Sequence, residues 1–310
     1  MKRKNSINLL CFALLALAFG SVSCDDWTET EGIGKNVSRP SEQDPALWAQ
    51  YTAALREYKK SDHFLTYARL HNSPEAASSE KDFMRCLPDS LDIVSLTNAD
   101  RFSTFDLEDL FVMREKGTRV LYQVDYAARA AELADPAALG AYLDSVIAAV
   151  KGNRLDGYSF TGTPRSGDAA TAAAAALIVE KLAGAKEEGQ LIVFEGNPLF
   201  VAAADRAKVD YFVLDTETTD NVTDLRMQVL GATGYAAVPQ EKLLLAAAAG
   251  SPLFTEDRTE MAAITEMTAR VVSFGPLAGL GVYNIGEDYY DAKMNYPLVR
   301  GAIQTLNPSK

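Results

Sequence analysis

Short apolar runs alternate with longer amphipathic segments along most of the chain, and this alternation predicts the fold. The short runs are apolar on both faces, as expected for strands that are covered on both sides. They predict eight strands, at 64–70, 91–97, 119–125, 155–161, 191–195, 211–215, 242–247 and 281–285. Segments with helical periodicity lie at 46–58, 106–115, 136–150, 169–182, 257–271 and 297–306.

Eight strand–helix units in one chain favour a parallel (β/α)8 barrel, an α/β fold of the TIM-barrel class. The rival is an open, doubly wound sheet. Its dinucleotide-binding form needs a glycine fingerprint after the first strand, and residues 71–74 contain no glycine. The glycine pair at 279–281 precedes a predicted strand, so we interpret it as a turn. A single barrel is therefore expected over residues 44–310, with Pro45 at the first helical position.

Residues 1–23 have the parts of a secretory signal peptide: a basic start at Lys2–Lys4, an apolar run of eleven residues at 9–19, and small residues before Cys24. Eleven helical residues rise only about 16 Å, against a hydrocarbon core of roughly 30 Å, so a membrane span is not expected. The small residues resemble a lipobox, although Ser21 stands where leucine is usual. Cys24 is thus the expected lipidation site, with plain secretion as the alternative.

Residues 24–43 are polar and predict a tether between the membrane and the barrel. The acyl chains of a lipidated cysteine provide stable anchoring. The acidic residues at 25, 26, 29 and 31 resemble the surface-export signal of lipoproteins in glycan-foraging Gram-negative bacteria; a solvated acidic tether is the alternative. The expected location is the outer membrane, on the cell surface.

The charge and the cysteine content exclude several classes of partner. The formal net charge is −12, and loss of the basic leader makes it more negative, which repels nucleic acid and anionic lipid heads but not neutral sugars. Cys11 belongs to the leader and Cys24 to the anchor, so Cys86 is alone and no disulfide framework is expected. His63 and His71 have no partners at metal-ligand spacing, so neither a metal nor another cofactor is expected.

In a (β/α)8 barrel the functional site lies at the carboxyl ends of the strands. The residues predicted there are rich in amides, hydroxyls, carboxylates and tyrosines, which suit sugar hydroxyls and sugar rings. Loops at strand ends are commonly polar in any case, so this composition alone is weak evidence. The predicted ligand-binding residues are Asn72, Asn98, Asp125, Tyr126, Glu195, Asn197, Asp215, Tyr283 and Asn284.

The predicted fourth strand carries a resemblance to a known family. Leu155-Asp156-Gly157 and the residues after it resemble the signature strand of glycoside hydrolase family 18, the chitinases and endo-β-N-acetylglucosaminidases, whose pattern is Asp-Gly-x-Asp-x-Asp-x-Glu. Residues 88–96 and 211–215 resemble the second and sixth strands of the family. The resemblance covers most of the mature chain and implies a TIM barrel that binds N-acetylglucosamine-containing glycans.

The chain departs from this pattern at the three later carboxylates. The motif positions hold Asp156, Ser159, Thr161 and Thr163. The resemblance implies that the last position protonates the glycosidic oxygen and that the one before it orients the substrate's own acetamide, a substrate-assisted exception to the two-carboxylate scheme. A threonine hydroxyl is too weak an acid for this work. Catalysis is therefore not expected, unless Glu195 or Glu217 at neighbouring strand ends supplies a displaced carboxylate.

Three hypotheses follow. The leading one is a non-catalytic, surface-anchored lipoprotein that holds N-acetylglucosamine-containing glycans for outer-membrane uptake proteins. The alternative is an active endo-β-N-acetylglucosaminidase or chitinase-like hydrolase that uses displaced carboxylates. The third is a structural subunit of a surface complex that binds no sugar. An open cleft rimmed by Tyr283, Asn197 and Asp215 would favour the first two hypotheses, and a cleft filled by side chains would favour the third.

Overall fold

The computed structural model describes residues 39–72 and 79–308. The predicted signal peptide, Cys24 and the acidic residues behind it lie outside the described residues. The chain divides into two units between Ala49 and Gln50; of the first unit, the structure describes only residues 39–49. Within the described ranges, no helix combines the length and the apolar character that crossing a bilayer requires.

Eight parallel strands of the second unit close into a barrel, which confirms the predicted (β/α)8 fold. The last barrel strand (Gly279–Tyr283) pairs with the strand Leu243–Ala248 on one side and with the first strand on the other, which closes the barrel. The barrel strands are β1 (Leu65–Leu70), β2 (Ile93–Leu96), β3 (Arg119–Val124), β4 (Gly157–Gly162), β5 (Leu191–Gly196), β6 (Tyr211–Leu214), β7 (Leu243–Ala248) and β10 (Gly279–Tyr283). A separate antiparallel hairpin joins β8 (Pro252–Phe254) to β9 (Glu260–Ala262).

The α-helices of the described residues are α1 (Pro40–Gln43), α2 (Pro45–Lys60), α3 (Thr104–Lys116), α4 (Tyr126–Arg129), α5 (Pro136–Asn153), α6 (Ala169–Ala185), α7 (Val222–Leu230), α8 (Ala263–Ser273) and α9 (Pro297–Leu306). Of these, α2, α3, α5, α6 and α9 lie close to the predicted positions, whereas α1, α4 and α7 were not predicted. Their starts are set by local caps: the Ser103 hydroxyl accepts from the Asp106 amide at α3, and the Asp168 carboxylate accepts from the Ala170 amide at α6.

Three local expectations were wrong. The strand β5 is followed by two 3₁₀ turns, Pro198–Phe200 and Arg206–Lys208, so not every strand has its own α-helix. The helix expected at 257–271 begins only at Ala263, because the β8–β9 hairpin occupies the preceding residues. The glycine pair at 279–281 lies inside β10 and does not form a turn. Glycine is needed at 279 because a Cβ there would come within 1.9 Å of the Leu65 carbonyl oxygen on β1.

The core has two parts, which follow from the alternation of side chains along each strand. Outward residues such as Tyr158 and Phe160 of β4 pack between the barrel and the helices. Inward residues form a second, apolar cluster of Tyr67, Ile93, Leu121, Val193, Val213, Leu244, Ala246 and Tyr283. Polar inward side chains join this cluster toward the carboxyl ends of the strands, at the level of Tyr283, the last residue of β10. We refer to this end as the mouth of the barrel.

Candidate functional site

An arginine–glutamate ion pair occupies the upper barrel interior. Arg69 of β1 donates from Nε and Nη2 to Oε2 of Glu195 on β5, at 2.9 and 2.8 Å. The other oxygen, Oε1, accepts from Nε2 of Gln123 on β3 at 2.9 Å and from Oγ of Ser95 on β2 at 3.3 Å. The Glu195 side chain has no solvent exposure, whereas that of Arg69 retains 28%. We call this pair the central ion pair.

The surroundings of Glu195 hold it in the ionised form. Burial alone would raise the pKa of this carboxyl, but the Arg69 guanidinium and the Gln123 amide outweigh it and keep the pKa below its ordinary value. A carboxylic acid that donates a proton near neutral pH needs the opposite shift. The structure therefore places Glu195 as an ionised group with both oxygens engaged, out of reach of a ligand at the mouth.

Tyr283 is not an open aromatic platform. The Cζ atom of Arg69 lies 3.6 Å from the centroid of the Tyr283 ring, a cation–π contact. The residue is only 3% exposed and belongs to the inward apolar cluster. The guanidinium therefore covers one face of a ring that is otherwise buried.

The first half of the family-like motif on β4 has a structural role. Asp156 lies at the amino end of the barrel, where its Oδ2 accepts from the Val120 amide at 2.8 Å, and burial raises its pKa. Gly157 has φ +134°, and a Cβ there would lie 2.0 Å from the Leu191 carbonyl oxygen on β5. Both residues are thus needed to pack β4 between its neighbours, whether or not the barrel catalyses a reaction.

The second half of the motif carries only hydroxyls. The Ser159 hydroxyl is buried, 2.6 Å from that of Ser95. The Thr161 hydroxyl donates to Oδ1 of Asp125 at 2.7 Å, which fixes this carboxylate at the end of β3. Thr163 is exposed at the mouth. Ser159 and Thr161 thus alternate along β4, and Thr163 lies just beyond the end of the strand.

A pair of carboxyl groups lies at the end of β6. Asp215 is exposed, and Glu217 is half-buried. Burial, followed by the neighbouring Asp215 carboxylate, raises the pKa of Glu217 to about 7. The buried Oε2 of Glu217 has no hydrogen-bond partner among the described residues. A carboxyl group with a pKa near 7 can donate a proton near neutral pH, so Glu217 has the acidity that acid–base chemistry requires.

Two cavities open at the mouth. The first, of about 500 Å³, lies over β1, β2 and β10, and we call it the β1–β2 cleft. The second, of about 330 Å³, lies over β3 and β4, and we call it the β3–β4 cavity. The β1–β2 cleft is lined by Arg69, His71, Lys81, Thr97, Asn284 and Glu287 among others. The β3–β4 cavity combines alanine side chains with Tyr126, Thr163, Arg165 and Asp168.

Two of the predicted ligand-binding residues mainly shape loops. Asn72 is fully buried; its amide donates to the Asn98 carbonyl oxygen and to Oδ2 of Asp106, and it accepts from the Asn98 amide. The side chain of Asn197 caps the 3₁₀ turn after β5 by accepting from the Leu199 amide at 3.0 Å. Asn98, which follows β2, is half-buried and pairs with Asn72.

The predicted ligand-binding residues did not include Arg69, Gln123, His71 and Arg165. Only strand ends were considered for that prediction, whereas Arg69 and Gln123 lie inside strands. A signal was present, because Arg69 is the single charged residue of β1 and Glu195 that of β5, in otherwise largely apolar strands. Charged side chains on inward positions of two strands must find partners inside the barrel.

Elsewhere, the larger cavities lie at the amino ends of the strands. One, of about 570 Å³, is lined by Lys59, His63 and Tyr211 among others, and another has about 590 Å³. Cys86 is half-buried against the core, and burial raises the pKa of its thiol. Among the described residues, no group of three or more His, Cys, Asp or Glu side chains is arranged to hold a metal ion.

Comparison with known proteins gives a family match and a shared fold. Residues 28–136, which extend past β3, match the family model described as Glycoside hydrolase family 18, BT1044-like. The resemblance seen in the sequence is thus confirmed over these residues. Among curated proteins, none matches the chain.

Solved structures extend the similarity over the whole barrel. A glutamate-to-glutamine variant of BT1044 has a TM-score of 0.70 at 17% identity, covering 87% of this chain and 96% of that one. An endo-β-N-acetylglucosaminidase from Cordyceps militaris has a TM-score of 0.63 at 18% identity, covering 84% of this chain and 96% of that one. A chitinase from Bacteroides thetaiotaomicron has a TM-score of 0.61 at 11% identity, covering 79% of this chain and 97% of that one. The chain therefore has the fold of these family 18 barrels.

Proposed function

We propose that this chain is a non-catalytic glycan-binding lipoprotein, anchored at the cell surface through Cys24, that holds N-acetylglucosamine-containing glycans at the mouth of its barrel. The observation that carries the proposal is the chemistry of the barrel interior. The motif positions hold hydroxyls, and the nearest buried carboxylate, Glu195, is ionised and paired with Arg69. A barrel of this fold without its acid is suited to holding a sugar chain rather than to cutting it.

The loss of the acid has a large expected cost for catalysis. General acid catalysis typically contributes about 10²–10⁴-fold, and positioning of the acetamide adds to it. Ser159, Thr161 and Thr163 supply neither function, because a hydroxyl neither protonates a leaving oxygen near neutral pH nor carries the charge of a carboxylate.

The mouth offers the groups that a neutral glycan needs. In the β1–β2 cleft, Asn284 is exposed, and the His71 Nδ1 and Thr97 Oγ1 atoms lie 3.0 Å apart. In the β3–β4 cavity, Thr163 and Arg165 are exposed beside Tyr126. Amides, hydroxyls, imidazole and guanidinium bind sugar hydroxyls and acetamide oxygens, and alanine methyl groups provide apolar contact for the ring. The negative net charge disfavours polyanionic alternatives.

A related barrel supports binding without turnover. The Cordyceps militaris endo-β-N-acetylglucosaminidase has been solved as a double mutant, with Asp and Glu two residues apart replaced by Asn and Gln, in complex with fucosyl-N-acetylglucosamine-Asn. Thr161 and Thr163 are likewise two residues apart and uncharged. We infer that a barrel of this kind can retain glycan binding when these carboxylates are absent.

The surface location rests on the leader. A signal peptide that ends at Cys24 and an acidic segment behind it support an outer-membrane anchor, and uptake proteins of that membrane are the expected partners. Mass spectrometry of the membrane-extracted protein should find a diacylated Cys24, and Cys24→Ala should shift the protein to the soluble fraction. An unmodified Cys24 in the mature protein would overturn the anchor.

The binding proposal is tested by calorimetric titration of the mature, unlipidated chain with an N-glycan core oligosaccharide, followed by product analysis. We expect binding without cleavage. Asn284→Gly keeps the positive φ of +53° while removing the amide, and Arg165→Ala removes the guanidinium of the β3–β4 cavity. At least one of them should weaken binding about tenfold, whereas Lys181→Ala on the outer surface of α6 should not. Cleavage would refute the non-catalytic role, and absence of binding across several such glycans would favour the structural-subunit hypothesis.

One observation favours the hydrolase alternative. The Glu217 carboxyl, with a pKa raised to about 7 beside Asp215, has the acidity that a general acid requires. If product analysis detects cleavage, Glu217→Gln should abolish it, while Glu217→Asp should retain part of it. Cleavage that survives Glu217→Gln would exclude this pair as its source.

A further inference from the structure

One face of the Tyr283 ring is already occupied by a group of the protein itself. The Arg69 guanidinium lies over the ring at 3.6 Å, and its Nε and Nη2 are held by Oε2 of Glu195 from the opposite side of the barrel. A guanidinium stacks on an aromatic face in the same way as a sugar ring, and the two cannot share that face. Gln123 and Ser95 hold the second oxygen of Glu195, which fixes the whole arrangement.

We propose that Arg69 determines which glycans this chain accepts: it excludes a sugar ring from the barrel centre by covering Tyr283, so that only an extended glycan is held across the mouth. This inference rests on the proposed function, because it specifies how the same mouth receives its ligand. It predicts that an oligosaccharide binds to the native protein and that a single N-acetylglucosamine unit binds poorly.

Arg69 also lines the β1–β2 cleft. Its side chain is 28% exposed and lines the β1–β2 cleft of about 500 Å³ together with His71 and Asn284. The bonds to Glu195 come from its Nε and Nη2 groups, and its Nη1 group makes no hydrogen bond to the described residues. An extended glycan that lies in the cleft can therefore accept a hydrogen bond from Nη1 without disturbing the central ion pair. The same residue closes the centre and contributes to the binding surface.

The test uses a double variant, Arg69→Ala/Glu195→Gln, which uncovers Tyr283 without leaving a buried charge unpaired. The matched control, Lys181→Ala/Asp144→Asn, removes an ion pair of 2.6 Å between α6 and α5, away from the mouth. Hydroxyl-radical footprinting first measures the solvent exposure of Tyr283, a readout that needs no glycan. Calorimetry then measures the affinity for N-acetylglucosamine and for the N-glycan core oligosaccharide.

We expect Tyr283 oxidation to rise severalfold in the double variant and its affinity for N-acetylglucosamine to rise about tenfold, with no change in the control. Unchanged oxidation would show that Arg69 does not cover the ring, and higher oxidation without a gain in monosaccharide affinity would show that the centre is not a closed sugar pocket. Either result overturns the proposal. Arg69→Lys serves as a second variant if the double variant does not fold, because it keeps the charge beside Glu195 but lacks the planar group; it should give a smaller rise in both measurements.

The two proposals fail in different ways. If the native protein binds the oligosaccharide but the double variant gains nothing for the monosaccharide, the glycan-binding function stands and the role of Arg69 falls. If the native protein binds no glycan and the double variant binds N-acetylglucosamine, the role of Arg69 stands and the proposed function falls. If neither protein binds any glycan, both proposals fall.

Discussion

The two ends of the barrel each contain a buried pair of charged or ionisable side chains, and the pairs differ in what they face. At the amino end, His63 Nε2 lies 2.9 Å from Oδ1 of Asp92, and Oδ2 of Asp92 accepts from the backbone amide and the hydroxyl of Thr66 at 2.8 and 3.0 Å. Both side chains of this pair are only 6% exposed. At the mouth, Glu195 is equally enclosed, but Arg69 is partly exposed and lines a cleft.

The difference teaches that burial of a charged pair does not by itself indicate function. The His63–Asp92 pair fastens β1 to β2 and to the end of α2, where Nδ1 of His63 lies 2.7 Å from the Ser61 carbonyl oxygen. Both side chains are bonded within the protein, and the cavity that His63 lines lies at the amino ends of the strands, so we assign this pair a role in stability. The central ion pair leaves part of a guanidinium directed to open space at the end of the barrel where function is expected, so its role extends to the ligand.

The largest effect should come from breaking the central ion pair on one side only. Arg69→Ala leaves the Glu195 carboxylate buried without its counter-charge, so we expect a loss of about 3 kcal/mol in the free energy of unfolding. Urea denaturation measures it. Arg69→Ala/Glu195→Gln should recover most of this loss, because no buried charge remains. A single variant as stable as the native protein would show that Glu195 is not held by Arg69.

A somewhat smaller loss in the free energy of unfolding is expected when the His63–Asp92 pair at the amino end is broken. Asp92→Asn keeps the size of the side chain but removes the charge that accepts from Thr66 and His63, which should cost about 2 kcal/mol by urea denaturation. Glycan affinity should remain at the native value, because the change lies at the far end of the barrel. A parallel loss of affinity would contradict the separation of the two ends into stability and function.

The pH dependence of stability sharpens the same comparison. The hydrogen bond to Asp92 raises the pKa of His63 above its ordinary value, so the stabilisation is fully present below the unfolded pKa of about 6.5 and is lost as the pH rises through the folded pKa. Native protein should therefore lose stability relative to His63→Gln as the pH rises from 6 to about 8. Thermal unfolding at several pH values measures this difference. An unchanged difference would mean that the pKa of His63 is the same in the folded and unfolded chains, and a difference that grows with pH would mean that folding lowers it.

The smallest effect on stability is expected at the mouth, for the carboxyl pair of β6. Asp215→Asn removes the carboxylate beside Glu217, so the pKa of Glu217 should fall from about 7 toward the ordinary value for glutamate. An NMR titration of the Glu217 carboxyl carbon measures the shift directly. A pKa that stays near 7 would assign the whole shift to burial and none of it to Asp215.

Much of the architecture could be predicted because it depends on local signals. Helix α9 was predicted at its observed bounds, and α2 begins at Pro45 as expected. The short helix α7 was missed, although Asn221 before it caps the Asp224 amide and marks its start. The strand β10 was placed two residues too late because glycines normally indicate turns, whereas here the close approach of β1 requires Gly279.

The sequence by itself determined the parallel barrel, since the period of apolar positions specifies strands and helices, and it determined that hydroxyls replace carboxylates at 159, 161 and 163. Only the tertiary structure decided that Arg69 meets Glu195, 126 residues later in the chain, over the ring of Tyr283. Alternation along a strand determines that a side chain points inward. Closure of the barrel and the relative register of strands that are not neighbours determine which inward side chains meet. No local sequence pattern specifies either of them.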